Sequence, residues 1–429
     1  MKELDAETIA AVPFYSQGIL VSPSIERPHS SIRISFFLDE SHPIPGAPWT
    51  RISSFAKAFA AKKYDVDVVG IFTPKSLKEK GIKQLSNMNI LNLVFKVPLN
   101  NPLLFLFTLV VSLITSTIFL IARRPRIAIV SFPSGDSSSG FLIACAILRI
   151  KFVVDYRDEW ENQLIYASNL SRLSRKFYVM IKKISISYYR RASFLAAVTT
   201  PFVNDLKKNG VVHVIHVPNG ATCSSFKPVD RKPNNGFFSI VYSGGVGEYY
   251  RLDVVISSLK ILADRRLNNI RLLIVGRGTN KHVLHDLQMY SRQLGIQNAV
   301  MYLGNKNRIQ ELSKIIVEAN VGIVPYDDNP LWKNALPAKF FEYCSCGLPV
   351  IATAYEDSIL AKLIHENEIG LTANPLDDKG LADAIEKIYR DKEFRVNAGK
   401  RARILVEQHF DRDKLSEEFL NAVCKVAKC

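Results

Sequence analysis

The chain has 429 residues, 48% of them hydrophobic and 22% charged, with a mean hydropathy of +0.06. These values exclude a wholly disordered chain, a collagen-like chain, a disulfide scaffold and a many-span membrane protein, and the length suits two or three domains. The net charge of +16 is unevenly placed: residues 1–235 hold 30 Lys and Arg against 16 Asp and Glu, the remainder 26 against 24, so the first half is expected to face something anionic.

Residues 1–31 begin acidic and lack a basic stretch followed by an apolar core. They read as an irregular extension, not a secretory signal. From residue 32, short, mainly apolar β-branched runs alternate with amphipathic segments. The runs are Ile32–Leu38, Val66–Phe72, Ile90–Phe95, Ile127–Phe132, Phe152–Tyr156, Phe194–Val198 and Val214–Pro218. Such runs are expected as strands buried on both faces. With helices between most of them, they predict a parallel sheet covered on both sides.

One segment breaks the pattern. Pro102–Ala122 is 21 residues without a charge, followed by Arg123, Arg124 and Arg126. Its length would cross a bilayer. A span, however, would separate strands that belong to one sheet. The favoured reading is a helix lying in a membrane interface or half buried, with the arginines toward an anionic surface. A buried core helix and a true span are the alternatives.

Residues 222–236 are rich in Ser, Pro, Asn, Lys and Gly and read as a linker. Alternation then resumes, with strands expected at Phe237–Tyr242, Ile270–Val275, Ala299–Tyr302, Val321–Pro325 and Pro349–Thr353. The expected fold is α/β: two doubly wound Rossmann-like domains, 32–221 and 237–392, facing across a cleft, with a helical tail over 393–429. Ligands of such sheets bind at the carboxyl ends of the strands. The six cysteines, Cys145, Cys223, Cys344, Cys346, Cys424 and Cys429, form no C-x-x-C pair, which suits a reducing compartment.

Three stretches carry candidate chemistry. Gly244, Gly245 and Gly247 end a strand and precede a helix, where backbone N–H groups can approach an anion. A tight turn is the plain alternative. Gly276-Arg277-Gly278 ends the next strand, and Arg277 could pair with a diphosphate; a surface arginine is its alternative. The third stretch runs from Pro325 to Asn334, then through Pro337, Lys339 and Glu342 to Gly347-Leu-Pro349. Lys339 and Glu342 are three apart and share a helix face. A lysine for phosphate oxygens beside a carboxylate for ribose hydroxyls would equip a nucleotide-sugar site. A surface ion pair is the bland reading.

The run Pro337-x-Lys-x-x-Glu-Tyr…Gly-x-Pro-Val resembles the signature of GT-B glycosyltransferases, in particular glycosyltransferase family 4 of the polysaccharide and lipid-linked type. Asp155-Tyr-Arg-Asp158-Glu-Trp160, Pro218-Asn-Gly220 and the two glycine loops are similar to family motifs in the same order, over about residues 32–410. The resemblance implies transfer of a sugar from a UDP-, GDP- or similar nucleotide donor, with retention, without a metal or other cofactor. It implies donor contacts at Gly244, Gly245, Gly247, Arg251, Arg277, Gly278, Asn334, Lys339 and Glu342. His213, His216, His282 and His285 read as solvated or structural, not as ligands.

Two departures stand out. The family's paired glutamates are eight apart, but eight before Glu342 stands Asn334. Where many members carry a His after the first-domain strand, this chain has Arg157-Asp158. Asp158 is therefore expected to orient the acceptor hydroxyl or take its proton, with Arg157 organising it or pairing with phosphate, alongside Glu342 in the catalytic set. Arg251 is expected to stand where a lysine near the diphosphate is common. Gly46, Ala47 and Arg51, after the first strand, are expected to meet the acceptor. The implied partners are a nucleotide sugar, a lipid-linked or glycan acceptor and an anionic membrane surface at its cytoplasmic face, with no nucleic acid. A catalytically weak scaffold or a nucleotide-sugar 2-epimerase are the rival readings.

Overall fold

The computed structural model describes residues 32–38, 47–72, 88–95, 102–133, 135–166, 170–229, 236–247, 249–280, 282–306 and 308–428. The extension over 1–31, residues 230–235 of the expected linker, and Gly46 lie outside the described residues.

Two parallel sheets form the frame. The first has seven strands: β1 (Arg33–Phe37), β2 (Asp65–Phe72), β3 (Met88–Phe95), β4 (Ile127–Phe132), β5 (Phe152–Tyr156), β6 (Leu195–Ala197) and β7 (Val214–His216). Their order is β3-β2-β1-β4-β5-β6-β7, every neighbouring pair parallel. The second has six: β8 (Phe238–Ser243), β9 (Ile270–Val275), β10 (Val300–Tyr302), β11 (Val321–Pro325), β12 (Val350–Thr353) and β13 (Gly370–Ala373). Their order is β10-β9-β8-β11-β12-β13, again all parallel. This doubly wound order places a ligand crevice where the direction of winding reverses, beside β1 and β4 and beside β8 and β11.

The first sheet is covered on one face by α1 (Ala47–Ala61) and on the other by α2 (Pro102–Arg123), α3 (Gly135–Ile147), α4 (Trp160–Ile165), α5 (Arg172–Tyr189) and α6 (Thr200–Lys208). The second is flanked by α7 (Leu252–Asp264), α8 (Val283–Gln293) and α12 (Asp378–Arg390) on one side. On its other side lie α9 (Ile309–Glu318), α10 (Ala338–Ser345), α11 (Ile359–Glu366) and α13 (Lys392–His409).

The apolar segment is one helix, α2, with mean hydropathy 2.5 but only 33% of its apolar window buried. Strands before and after it share one sheet, since β1 pairs with both β2 and β4, so it does not separate them. Its inner face is mixed: Phe105, Phe119 and Leu120 are buried at its two ends, the small polar Thr108, Ser112 and Ser116 are buried between them, and Ser112 Oγ donates to the Ser137 carbonyl at 2.6 Å. Gly140 of α3 sits against the α2 backbone, where a Cβ would crowd the Leu109 carbonyl. Small residues let the two helices approach closely. Five other bulky apolar residues point outward: Leu103 is 78% exposed, and Phe107, Ile114, Ile118 and Ile121 are more than half exposed.

Two placements differ from the sequence reading. Ala221, Cys223 and Phe226, at the start of the expected linker, are buried in the core of the second half. The last helix, α14 (Arg412–Ala427), returns to the first half and packs on α1, with Phe419 stacked on Phe55 at 4.2 Å between ring centroids. The chain therefore crosses between halves twice, side by side: the Ala221 amide donates to the Phe410 carbonyl and the Arg412 amide to the Ala221 carbonyl.

Candidate active site

The second-half site is built at the ends of β8, β9 and β11. Just past β8, Gly244 turns with φ +121°, a conformation that favours glycine. Gly276, at the end of β9, is held to this loop for a steric reason: a Cβ there would land on the Gly244 carbonyl oxygen. The two glycine loops also pair through backbone. Val246 N donates to the Arg277 carbonyl at 2.9 Å and Thr279 N to the Val246 carbonyl at 2.8 Å. Gly278 bridges Val246 in this ladder, so its place is explained by loop bracing. Arg277 is exposed, whereas Gly244 and Gly245 face open space at the crevice.

Helix α10 brings Lys339 and Glu342 to this loop. Lys339 is buried at 7% exposure, and its Nζ has no hydrogen-bond partner. The ammonium lies over the rings of Tyr250 and Tyr242, 3.5 and 3.8 Å from their centroids. A Cβ on Gly244 would be 3.4 Å from Nζ, so the cation points at the glycine loop. Burial, opposed by the Glu342 charge, holds its pKa well below the ordinary lysine value. Burial likewise raises the Glu342 carboxyl, against the Arg412 and Lys339 charges. An unpaired buried cation is costly, and an anion at the loop would remove that cost.

The residue after Glu342 fixes the loop's start. The Tyr343 hydroxyl accepts from Ser243 N at 2.7 Å, and its ring lies over Gly322 of β11, which leaves no room for a Cβ. The sequence reading gave Tyr343 no role, although it sits inside the motif. It also overlooked an aromatic wall. Tyr250 stacks on Tyr326, Tyr326 on Trp332, and Tyr249 leans on Trp332, with centroids 5.0–5.6 Å apart. The visible signal was the Tyr249-Tyr250 pair directly after the glycine loop.

Asp158 approaches this wall from the first half. Burial, and after it the Asp158 charge, raises the Tyr249 hydroxyl. Asp158 itself is half-buried, and burial, opposed by Arg157 and reinforced by Glu159 and Asp155, pushes its carboxyl up to about 6. The loop carrying it is fixed from behind. Trp160 stacks on Phe132 and donates from Nε1 to the Tyr189 hydroxyl at 3.0 Å. Arg157 is buried and donates to Ser131 Oγ and the Pro133 carbonyl, both at 2.9 Å. It organises the loop, with its Nε and Nη2 taken up by partners in the first half.

Three further assignments change. Arg51 was expected at the acceptor, but its guanidinium is buried, 2.9 Å from Asp155 Oδ1, and donates to the Val217 and Pro218 carbonyls at 2.8 Å. It ties α1 to β5 and to the crossing segment. Ala47 is the first residue of α1. Arg251 precedes α7 and is paired with Asp253 at 2.5 Å, so Lys339 is the cation that reaches the glycine loop. Asn334, in the place expected for a glutamate, donates from Nδ2 to Glu159 Oε1 at 3.0 Å across the two halves. A second bond, Asn219 Nδ2 to the Leu336 carbonyl at 3.3 Å, lies nearby.

The cross-half bond explains the departure. A glutamate at 334 would set a carboxylate against Glu159, with Asp158 adjacent. Asn334→Glu is expected to weaken the closed cleft by about 1–2 kcal/mol, read as a roughly five- to thirtyfold rise in substrate KM. Glu159→Gln in the same chain should restore most of it. A KM unmoved by Asn334→Glu, or no rescue, would remove the contact from cleft closure.

Residues 226–405 match the family model "Glycosyl transferases group 1". This part of the chain is a group 1 glycosyltransferase domain. The chain is 25% identical over 167 residues to the N-acetyl-alpha-D-glucosaminyl L-malate synthase of Bacillus anthracis, an alignment covering 39% of this chain and 40% of that relative. Among solved structures, the chain superposes on sucrose-phosphate synthase from Thermosynechococcus elongatus with a TM-score of 0.71 at 17% identity, over 92% of this chain and 99% of the other. It superposes on Anabaena HepE, solved in complex with UDP, with a TM-score of 0.68 at 14% identity, over 92% and 100%. The fold of both halves is therefore the two-domain GT-B fold. Among the described residues, no group of three His, Cys, Asp or Glu side chains is arranged to hold a metal ion.

Proposed function

We propose that this glycosyltransferase moves a sugar, with retention and without a metal, from a nucleotide-diphosphate sugar to a lipid-linked or glycan acceptor at the cytoplasmic face of a membrane. The observation that carries the donor assignment is Lys339: a buried, unpartnered ammonium aimed at the glycine loop, with Glu342 on the same helix face. The diphosphate sits at Gly244–Gly245 and takes the Lys339 charge, while Glu342 accepts from ribose hydroxyls. As the bond from the sugar's C1 to the phosphate oxygen breaks, that oxygen's growing charge falls to Lys339 and the loop amides. The acceptor oxygen bonds to C1 and its proton passes to Asp158, which is largely ionised at neutral pH given a pKa of about 6. The membrane assignment is supported by the outward apolar face of α2 and by the basic first half.

The test incubates the purified chain with a panel of radiolabelled nucleotide sugars and a lipid extract. Label in the organic phase, from one donor, is the expected result. No transfer from any donor would favour the scaffold reading.

Donor binding is also expected to be proton-linked. The free site holds Lys339 below its ordinary pKa, and a bound diphosphate raises it, so between those two values the complex holds more protons than the free chain, while below both the lysine is charged in each. Affinity for a nucleoside diphosphate should therefore weaken as pH rises, with proton uptake on binding. Calorimetry in buffers of different ionisation enthalpy reads this directly. Binding enthalpies independent of the buffer would contradict it.

A further inference from the structure

We infer that α5 is a second membrane-contacting helix, lying beside α2, and that the pair docks the first half on an anionic lipid bilayer. This rests on the membrane reading above and replaces its electrostatic part. That reading gave the charge to the arginines after α2. Two of them are engaged inside the protein: Arg123 Nη2 lies 2.7 Å from Asp67 Oδ1, and Arg126 Nε donates to the Ala427 carbonyl at 2.9 Å.

Arg124 stays exposed at the end of α2, and a larger set of exposed cations is on α5. Its sequence, RLSRKFYVMIKKISISYY, has no acidic residue. Leu173, Phe177, Met180 and Ile184 recur at spacings of four, three and four, so they form one row along the helix. Phe177 in that row packs on Phe105 of α2, with ring centroids 5.9 Å apart. The row therefore faces the α2 side. Yet Leu173 is 79%, Met180 50% and Ile184 42% exposed, so nothing in the fold covers most of it. Arg172, Lys176 and Lys183 are exposed on the neighbouring strip of the same helix, and Arg175 is exposed further round it. Two apolar rows side by side, flanked by cations and with no carboxylate on either helix, match the boundary between acyl chains and anionic headgroups. A protein partner could use the apolar rows, but the all-cationic rim favours lipid.

The placement has a catalytic consequence. Helix α5 follows the Asp158 loop through α4 and is tied to it, since Lys182 Nζ donates to Asn162 Oδ1 at 2.8 Å. Docking α5 on lipid sets the acceptor side of the cleft at the headgroup level, where a lipid-linked acceptor is presented.

The test is vesicle sedimentation of the full chain with phosphatidylcholine vesicles, with and without phosphatidylglycerol. Arg172, Arg175, Lys176 and Lys183 are changed together to Gln, and separately Met180 and Ile184 to Gln. All six side chains are on the surface, and an unchanged melting temperature verifies the fold. The native chain should prefer the anionic vesicles. The four-charge variant should lose roughly 100-fold or more of that partitioning and most of its salt dependence. The apolar variant should bind both vesicle types more weakly. Native-like binding by both variants would overturn the role of α5 while leaving the membrane reading intact. A native chain that ignores both vesicle types and sediments as a dimer would overturn both, in favour of self-association.

Discussion

Lys339→Met is expected to separate stability from function. In the free chain the ammonium is buried without a hydrogen-bond partner. Cation–ring contacts with Tyr242 and Tyr250 return only part of its lost hydration. A methionine of similar length fills the same space and packs its sulfur against the same rings. The variant should therefore unfold at the same or a higher temperature than the native chain. Donor affinity should move the other way. Charged hydrogen bonds to phosphate are worth roughly 1.5–3 kcal/mol each, so losing two of them predicts a fall of about 3 kcal/mol or more, over a hundredfold. Thermal unfolding with and without a nucleoside diphosphate measures both. A stable variant that still shows the native ligand-induced shift would show that the diphosphate does not meet Lys339.

Asp158→Asn should leave donor binding intact and remove turnover. The substitution keeps shape and polarity but cannot accept a proton. General-base groups of this kind contribute about 10²–10⁴-fold, and the loss should appear in kcat, with KM for the donor near native. The native enzyme should show the matching pH dependence. Asp158 has a raised pKa of about 6, and the base is its ionised form. Activity should therefore be full above that value and fall as pH drops through it, and the acid limb should vanish in the variant's residual rate. Turnover within about tenfold of native would exclude Asp158 from proton transfer.

Much of the frame was legible because buried parallel strands leave mainly apolar β-branched runs. β4, β5, β9 and β11 are at the residues their runs marked. β13 was missed: it is only Gly370–Ala373, half-exposed along its middle, with no apolar run. The return of α14 to the first half was also not visible, because an amphipathic helix does not state which sheet it covers. Within the site, the Lys339–Glu342 spacing is a local helical property and could be read directly. Arg51 could not. A charged residue after a proline-rich turn looks exposed, and only the convergence of Asp155, Val217 and Pro218 from distant parts of the chain buries it. The meaning of Asn334 likewise depends on Glu159, 175 residues earlier.

The double crossing bears on how the chain is made. Phe419, Leu420, Val423 and Ala427 of α14 belong to the apolar core on the α1 face of the first sheet, with Phe55 and Phe59. During synthesis from the N-terminus, domains generally fold as they emerge. Here the first half cannot close its own core until residue 427 has been added, after the whole second sheet has been made. The first half is thus completed only after the second, and its unfilled α1 face stays open to chaperones until α14 has emerged.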